Sequence, residues 1–338
     1  MAIVIPLGQN KKATNAFDQL TGLVGDDLAR VNSLIADKLK IDINLVPEVA
    51  GHLVEAGGKR LRPMLTLATA NMCGYEGDRH IMLAACVEFL HTATLLHDDV
   101  VDESDQRRGR PSANAVWGNS ASVLVGDYLI SASFQMLVKD GSLDILRVLS
   151  DAAVVIASGE VMQLEAARNM ATTEDAYLDV IAAKTAALFE AACEISGVLT
   201  DQPKDEKEML AAYGRNLGIA FQLVDDALDY RARESSLGKS LGDDFREGKI
   251  TLPVVLAYRR GDEDERAFWT RTLEGGDQSD DDLAHAVELM NRHGSLDDTV
   301  DRARLYGQKA IDALALFPES AERKALEDIV EFCVARAH

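Results

Sequence analysis

Apolar residues recur along most of this chain at the three- and four-residue spacing of a helix face. The pattern runs from Ala16 to Leu39, and Pro47 marks a break before the next helix. A helix is expected from Pro63 to Cys73, with proline in the first turn and Gly74 as C-cap. Asp78 then precedes a long apolar stretch, Ile81 to Val101, with the character of a buried helix. Further helices are expected over 121–137, 143–167, 173–199, 205–230, 252–259 and 263–272, followed by two C-terminal stretches. Residues 1–14 are expected to be extended, and the polar run at 201–208 to connect helices. The stretch 233–249, rich in Gly, Ser and charge, is expected to form a mobile lid.

Composition agrees with an all-α fold. The chain has 338 residues, 47% hydrophobic and only 5% aromatic, and it is dominated by the helix formers alanine and leucine. That length can bury a large core, and a single helical domain spanning 1–338 fits better than a sandwich or an alternating α/β fold. A formal charge of −21 excludes a general nucleic-acid binder, which would need clustered Lys and Arg. It does not exclude small phosphorylated ligands, which respond to local charge. Cys73, Cys86, Cys193 and Cys333 form no CxxC pair, as expected of reduced thiols in a cytoplasmic protein. The N-terminus lacks a basic stretch before its short apolar run, and no segment approaches ~20 consecutive apolar residues, so no membrane span is expected.

The chemistry concentrates in two echoing segments, LLHDDVVD at 95–102 and QLVDDALD at 222–229. Residues four apart share a helix face, so Asp98 projects with Asp102 and Asp225 with Asp229, whereas Asp99 and Asp226 turn aside to supporting roles. Like charges one turn apart repel, and near a helix C-terminus the macrodipole disfavours them further. A cation would relieve both costs. Mg2+ suits such a pair because it takes one or two carboxylates and completes its shell with water and phosphate oxygens.

Basic motifs accompany the aspartates. GGKRLRP at 57–63 gathers Lys59, Arg60 and Arg62 behind two glycines, and RRGRP at 107–111 follows the first acidic cluster. Arginine suits bidentate phosphate contacts, and lysine acts as a point charge. His91 lies two turns before Asp98 on the same stripe, while His97 is off that face and is expected to be structural.

Together GGKRLRP, HTATLLHDDVVDESDQRRGRP, Lys184–Thr185, FQLVDDALDY and GKSLGDDFREGK closely resemble the trans-polyprenyl diphosphate synthases, especially bacterial long-chain enzymes of quinone biosynthesis. The resemblance implies an antiparallel helical bundle around a deep cavity, usually a homodimer. It implies catalytic roles for Asp98, Asp99, Asp102, Asp225, Asp226 and Lys184. Three Mg2+ ions would be held by Asp98 and Asp102, which share two, and by Asp225 with Asp229. Lys59, Arg62, His91 and Arg108 would hold isopentenyl diphosphate. Arg107, Lys184, Thr185, Gln222, Lys239 and Lys249 would hold the allylic diphosphate.

Ala93 and Thr94 stand where short-chain members often carry a bulky aromatic, which implies an open tunnel and a C40 to C50 product. Phe134, Met136 or Leu137 is expected at the tunnel floor. A geranylgeranyl-type synthase, a class I terpene cyclase and a regulatory subunit are the competing readings. The second DDxxD and GGKRLRP argue for elongation, and retention of both clusters argues against a regulatory subunit.

Overall fold

A computed structural model describes residues 11–55, 58–107, 109–231 and 242–336. Helix α1 (Lys11–Lys38) starts inside the segment expected to be extended, and α2 (Leu45–Glu55) follows. Helix α3 (Leu61–Met72) takes Pro63 into its first turn, and Gly74, at φ 75°, closes its end with an N–H to the Asn71 carbonyl. The long apolar stretch forms α4 (Arg79–Val101). A two-residue ladder not expected from the sequence pairs β1 (Gln106–Arg107) with β2 (Arg110–Pro111). After α5 (Ala113–Trp117) come α6 (Asn119–Asp140) and α7 (Leu143–Ala166), whose N-cap Ser142 accepts the Ile145 N–H.

The single helix expected over 173–199 is interrupted. Helix α8 (Glu174–Ile181) passes through a π turn, Ala182–Ala186, into α9 (Ala187–Leu199). Helix α10 (Lys204–Arg231) begins within the polar run expected as a connection, which shortens that link. Part of the expected lid is ordered helix, α11 (Asp243–Glu247), anchored by buried Phe245; residues 232–241 lie outside the described residues. Helices α12 (Leu252–Arg260) and α13 (Glu263–Trp269) precede a second π turn, Thr270–Glu274. Three C-terminal helices rather than two complete the chain: α14 (Asp282–Arg292), α15 (Ser295–Ala313) and α16 (Ala321–Ala335).

Packing follows the apolar stripes. Helix α4 lies on α3 and α6, α9 lies between α3 and α10, and α10 is covered by α15. Helix α1 packs on α16, which brings both ends of the described chain to one core. Leu65, Leu83, Phe89, Leu96 and Phe189 are buried there, each contributing about 1.5–3 kcal/mol relative to exposure.

Among the described residues, two helices are long and apolar enough to cross a membrane by length and composition alone, a test that core helices also pass. The α4 stretch is 72% buried, as befits a core helix, whereas the α6 stretch is 39% buried. The difference lies in an outward apolar face on α6 and α7 that includes Leu124, Val138, Leu143, Val154 and Leu164.

Candidate active site

Helix α4 is mostly buried, yet His91, Thr94, Leu95 and Asp98 on one stripe are only half-buried, and Asp102 continues that stripe as the C-cap. The Asp102 N–H donates to the Asp98 carbonyl at 2.8 Å, so the two carboxylates are one turn apart at the negative end of the helix. Their side chains keep 14% and 16% exposure, enough to meet a ligand. Asp99 turns inward and has no exposed side chain. It accepts from Arg107 Nε at 2.6 Å, and its backbone carbonyl accepts from Asn114 at 3.0 Å. Asp99 therefore positions Arg107 rather than facing the opening. Burial raises the Asp99 carboxyl from its usual range, against the pull of Arg107.

The π turn joins the two acidic clusters. A Cβ on Gly159 of α7 would stand 2.7 Å from the Lys184 backbone nitrogen, and one on Gly218 of α10 would stand 2.6 Å from Ala186 Cα. Only glycine allows both helices to clasp the turn this closely. The widened turn presents consecutive side chains to different clusters. Lys184 Nζ lies 2.7 Å from Glu160 and 3.8 Å from Asp98. Thr185 donates to Gln222 Oε1 at 2.9 Å, and Gln222 donates onward to Asp226 at 2.7 Å. Asp226 is buried and also accepts from the Tyr177 hydroxyl. A connected path thus runs from Asp98 through Lys184–Thr185 to Gln222 and Asp226.

A second link runs through Lys249, which lies 3.0 Å from Asp102 and 2.6 Å from Glu247. Its backbone N–H donates to the Asp244 carbonyl, and the Asp244 N–H donates to Asp229 Oδ2 at 3.1 Å. Asp229, expected beside Asp225 as a metal ligand, thus has one oxygen tying α11 to α10. Asp225 is half-buried on the same helix, next to buried Asp226.

These contacts shift the acids. Burial pushes Glu160 up to about 7, with the Asp98 charge adding and Lys184 opposing. Burial raises Asp98 too, although Lys184 and Arg107 pull it down. Asp226 is pushed up to about 7 by burial despite hydrogen bonds from Tyr177 and Gln222. Burial would lower Lys249, but Asp102, Asp244 and Glu247 overcome it and hold the ammonium above the usual lysine range. The site is therefore rich in carboxylates whose charged forms lack compensation, the condition a divalent cation corrects.

Two more of the expected basic residues, Lys59 and Arg62, flank the start of α3. Arg62 Nη1 lies 3.2 Å from His91 Nε2, and because arginine can only donate, this nitrogen accepts. The Arg62 guanidinium stacks 4.2 Å above the Phe189 ring. Lys59 Nζ stands 4.6 Å over Phe332 of α16 and 5.7 Å from the Phe17 ring. Partial desolvation by these groups, then the Arg336 charge, lowers Lys59 from the usual lysine range although the residue is exposed. Arg108 and Lys239 lie outside the described residues.

The family model for polyprenyl synthetases matches residues 43–290. Octaprenyl diphosphate synthase of Escherichia coli is 46% identical over 95% of this chain and 99% of its own length. This chain belongs to the polyprenyl synthetase family. The crystal structure of a decaprenyl diphosphate synthase from Rhodobacter capsulatus superposes with a TM-score of 0.92 at 53% identity, covering 95% of this chain and 99% of that one. A polyprenyl synthase from Caulobacter crescentus CB15, complexed with calcium and isoprenyl diphosphate, also gives 0.92, at 47% identity, covering 95% and 98%. As a member of the family, the chain is a trans-prenyltransferase.

In this polyprenyl synthetase, no three His, Cys, Asp or Glu side chains converge into a metal cage among the described residues. Asp98 and Asp102, one turn apart, instead offer the carboxylate oxygens that could hold a divalent cation, and the nearby lysine and arginine suit a phosphorylated ligand sharing it. Ala93 is fully buried in the main core and Thr94 half-buried on the aspartate stripe. Met136 and Leu137 are buried in the same core, with Phe134 partly buried against it. A shallow hollow of about 470 Å³ near Arg30 and Asp78 lies at the opposite end of α4 and holds none of the expected site residues.

Glu160, Tyr177 and Phe332 escaped the sequence reading. Each stands alone in its segment, and the only local signal was an acid, Glu160, one residue after a glycine in an apolar helix.

Proposed function

We propose that this polyprenyl synthetase adds isopentenyl diphosphate units head to tail onto an allylic diphosphate, beginning with farnesyl diphosphate, to make an all-trans C40 to C50 polyprenyl diphosphate for a quinone side chain. The similarity to octaprenyl and decaprenyl diphosphate synthases supports the long product. The observation that carries the two-substrate reaction is the placement of two unlike anion sites on one helix. The carboxylate-rich end of α4 faces Lys184, Lys249 and Arg107, while Arg62 meets His91 two turns earlier.

Each substrate then has a place. Asp98, Asp102 and Asp225 would hold Mg2+, which when bound supplies Lewis acidity to the departing diphosphate. Arg107, fixed by Asp99, and Lys184, fixed by Glu160, bind and orient the allylic diphosphate. Thr185 and Gln222 line its path, and Lys249 closes on it from the α11 side. Lys59, Arg62 and His91 hold the diphosphate of isopentenyl diphosphate, leaving its double bond directed along the α4 stripe. The allylic C–O bond breaks, the double bond attacks the cation, and a proton is lost to the released diphosphate, so no dedicated protein base is required. Apolar surroundings exclude water that would quench the cation.

The chain is proposed to act as a single-domain, cytoplasmic homodimer. Its four free thiols suit a reducing compartment, and the exposed apolar residues of α6 and α7 are those a second copy would cover. Incubation with farnesyl diphosphate, labelled isopentenyl diphosphate and Mg2+, followed by product sizing, tests the function. Label in C40 to C50 products is expected; folded protein giving only C20, or none, overturns it. Ala93→Tyr is expected to shorten the product, and an unchanged length would remove Ala93 from the tunnel.

A further inference from the structure

One residue of the basic motif has no part in either diphosphate site. The Arg60 guanidinium is bound by the Glu88 carboxylate of α4, and the two side chains are only 13% and 7% exposed. The Arg60 backbone stands at φ 49°, ψ 34°, a left-handed conformation that a non-glycine residue keeps only where its surroundings impose it. Arg60 is both the last residue of the loop and the N-cap of α3, and its carbonyl accepts the Met64 N–H at 3.0 Å. Its side chain makes no capping bond, so the Glu88 contact holds it from outside the helix.

Glu88 and His91 are three residues apart on α4 and share a face. Arg60 and Arg62 meet them in the same order, Arg60 on Glu88 and Arg62 on His91. Two rungs therefore tie the start of α3 to α4, and Lys59 directly precedes the first. The Arg60 side chain, at 13% exposure, is also more enclosed than Arg107, Lys184 or Lys249, at 26%, 19% and 29%, so it has the least surface to offer an anion.

We propose that the Arg60–Glu88 pair is a positioning device for the second diphosphate: Arg60 does not touch the ligand but sets where Lys59 and Arg62 stand relative to His91. This rests on the assignment of those three residues to isopentenyl diphosphate. The pair predicts a selective defect, since the allylic site is built on other contacts.

Glu88→Gln separates the alternatives because it keeps the side-chain shape and leaves the Arg60 charge in place. If Arg60 were itself a ligand, releasing it would lower KM for isopentenyl diphosphate or leave it unchanged, and that result overturns the proposal. The positioning role instead requires KM for isopentenyl diphosphate to rise about tenfold, with kcat and the KM for the allylic diphosphate unchanged. Arg60→Met should reproduce that defect and Arg60→Lys partly repair it, with thermal melting confirming folded protein. If Arg60→Met fails to fold, Glu88→Gln still decides. Lys59→Ala separates this proposal from its foundation. An unchanged KM for isopentenyl diphosphate there overturns the site assignment and the proposal together. A raised KM there beside an unchanged KM in Glu88→Gln overturns the positioning role alone.

Discussion

Cations at the two ends of the α4 stripe have different partners. Near the C-terminal end, Arg107, Lys184 and Lys249 rest on Asp99, Glu160 and Asp102. Two turns earlier, Lys59 and Arg62 rest on the faces of Phe332 and Phe189. A carboxylate neutralises its cation, so the first region has little positive charge to offer an anion until a metal ion shifts the balance. An aromatic face stabilises a cation by about 0.5–2 kcal/mol without cancelling its charge, so the second region can hold a diphosphate with no metal. The contrast suits the proposed reaction, in which one diphosphate must leave and the other must stay: metal and phosphate would assemble where charge develops, while the retained diphosphate would be held by fixed cations.

Removing a carboxylate from the first region tests this difference most severely. Asp98→Ala and Asp225→Ala are each expected to lower kcat on the order of 10²–10³-fold while the protein stays folded. Near-normal single-turnover rates in either would end the division between the regions. An intermediate effect is expected from Glu160→Gln, which removes the partner of Lys184 without reducing the cation count. A loss of about tenfold in kcat should follow. The pH profile should shift as well. With Glu160 held up at about 7 beside a raised Asp98, acid protonates both and weakens cation binding. Glu160→Gln removes the group held at about 7 and leaves Asp98 to set the acidic limb, which should move down; a limb that moves up contradicts this assignment.

The smallest effect belongs to the second region. Phe332→Leu should raise KM for isopentenyl diphosphate by about two- to fivefold, the equivalent of an exposed cation–π contact, without changing kcat. Lys59 is held below the usual lysine range, so its positive charge, and with it affinity for this substrate, should fade at correspondingly lower alkaline pH. Lys59→Arg should abolish that limb, because arginine keeps its proton throughout. Titrating KM against pH checks both statements.

Much of the site is visible in the order of residues. Asp98 with Asp102, and His91 on the same stripe, follow from helical periodicity alone. That Asp99 and Asp226 turn away from their neighbours follows from the same geometry; that they turn into the core, where both are buried, is decided by packing. The lid was harder to read, because charge and glycine in 242–249 concealed Phe245, which buries itself and fixes α11. The outward apolar face of α6 and α7 was equally hidden, since periodicity shows that a helix has apolar residues but not which ones lack a neighbour.

The sequence by itself determined the helical class and the paired aspartates one turn apart, because each depends on spacings shorter than two helical turns. Only the tertiary structure decided what those charges meet. Glu160 reaches Lys184 across 24 residues, Arg60 reaches Glu88 across 28, and Tyr177 reaches Asp226 across 49. Such contacts arise from how α3, α4, α7 and α10 stack, with Gly159 and Gly218 allowing the π turn between α8 and α9 to be gripped from both sides. Local periodicity sets the direction of a side chain about its own helix axis, but the partner it finds depends on the helix packed opposite.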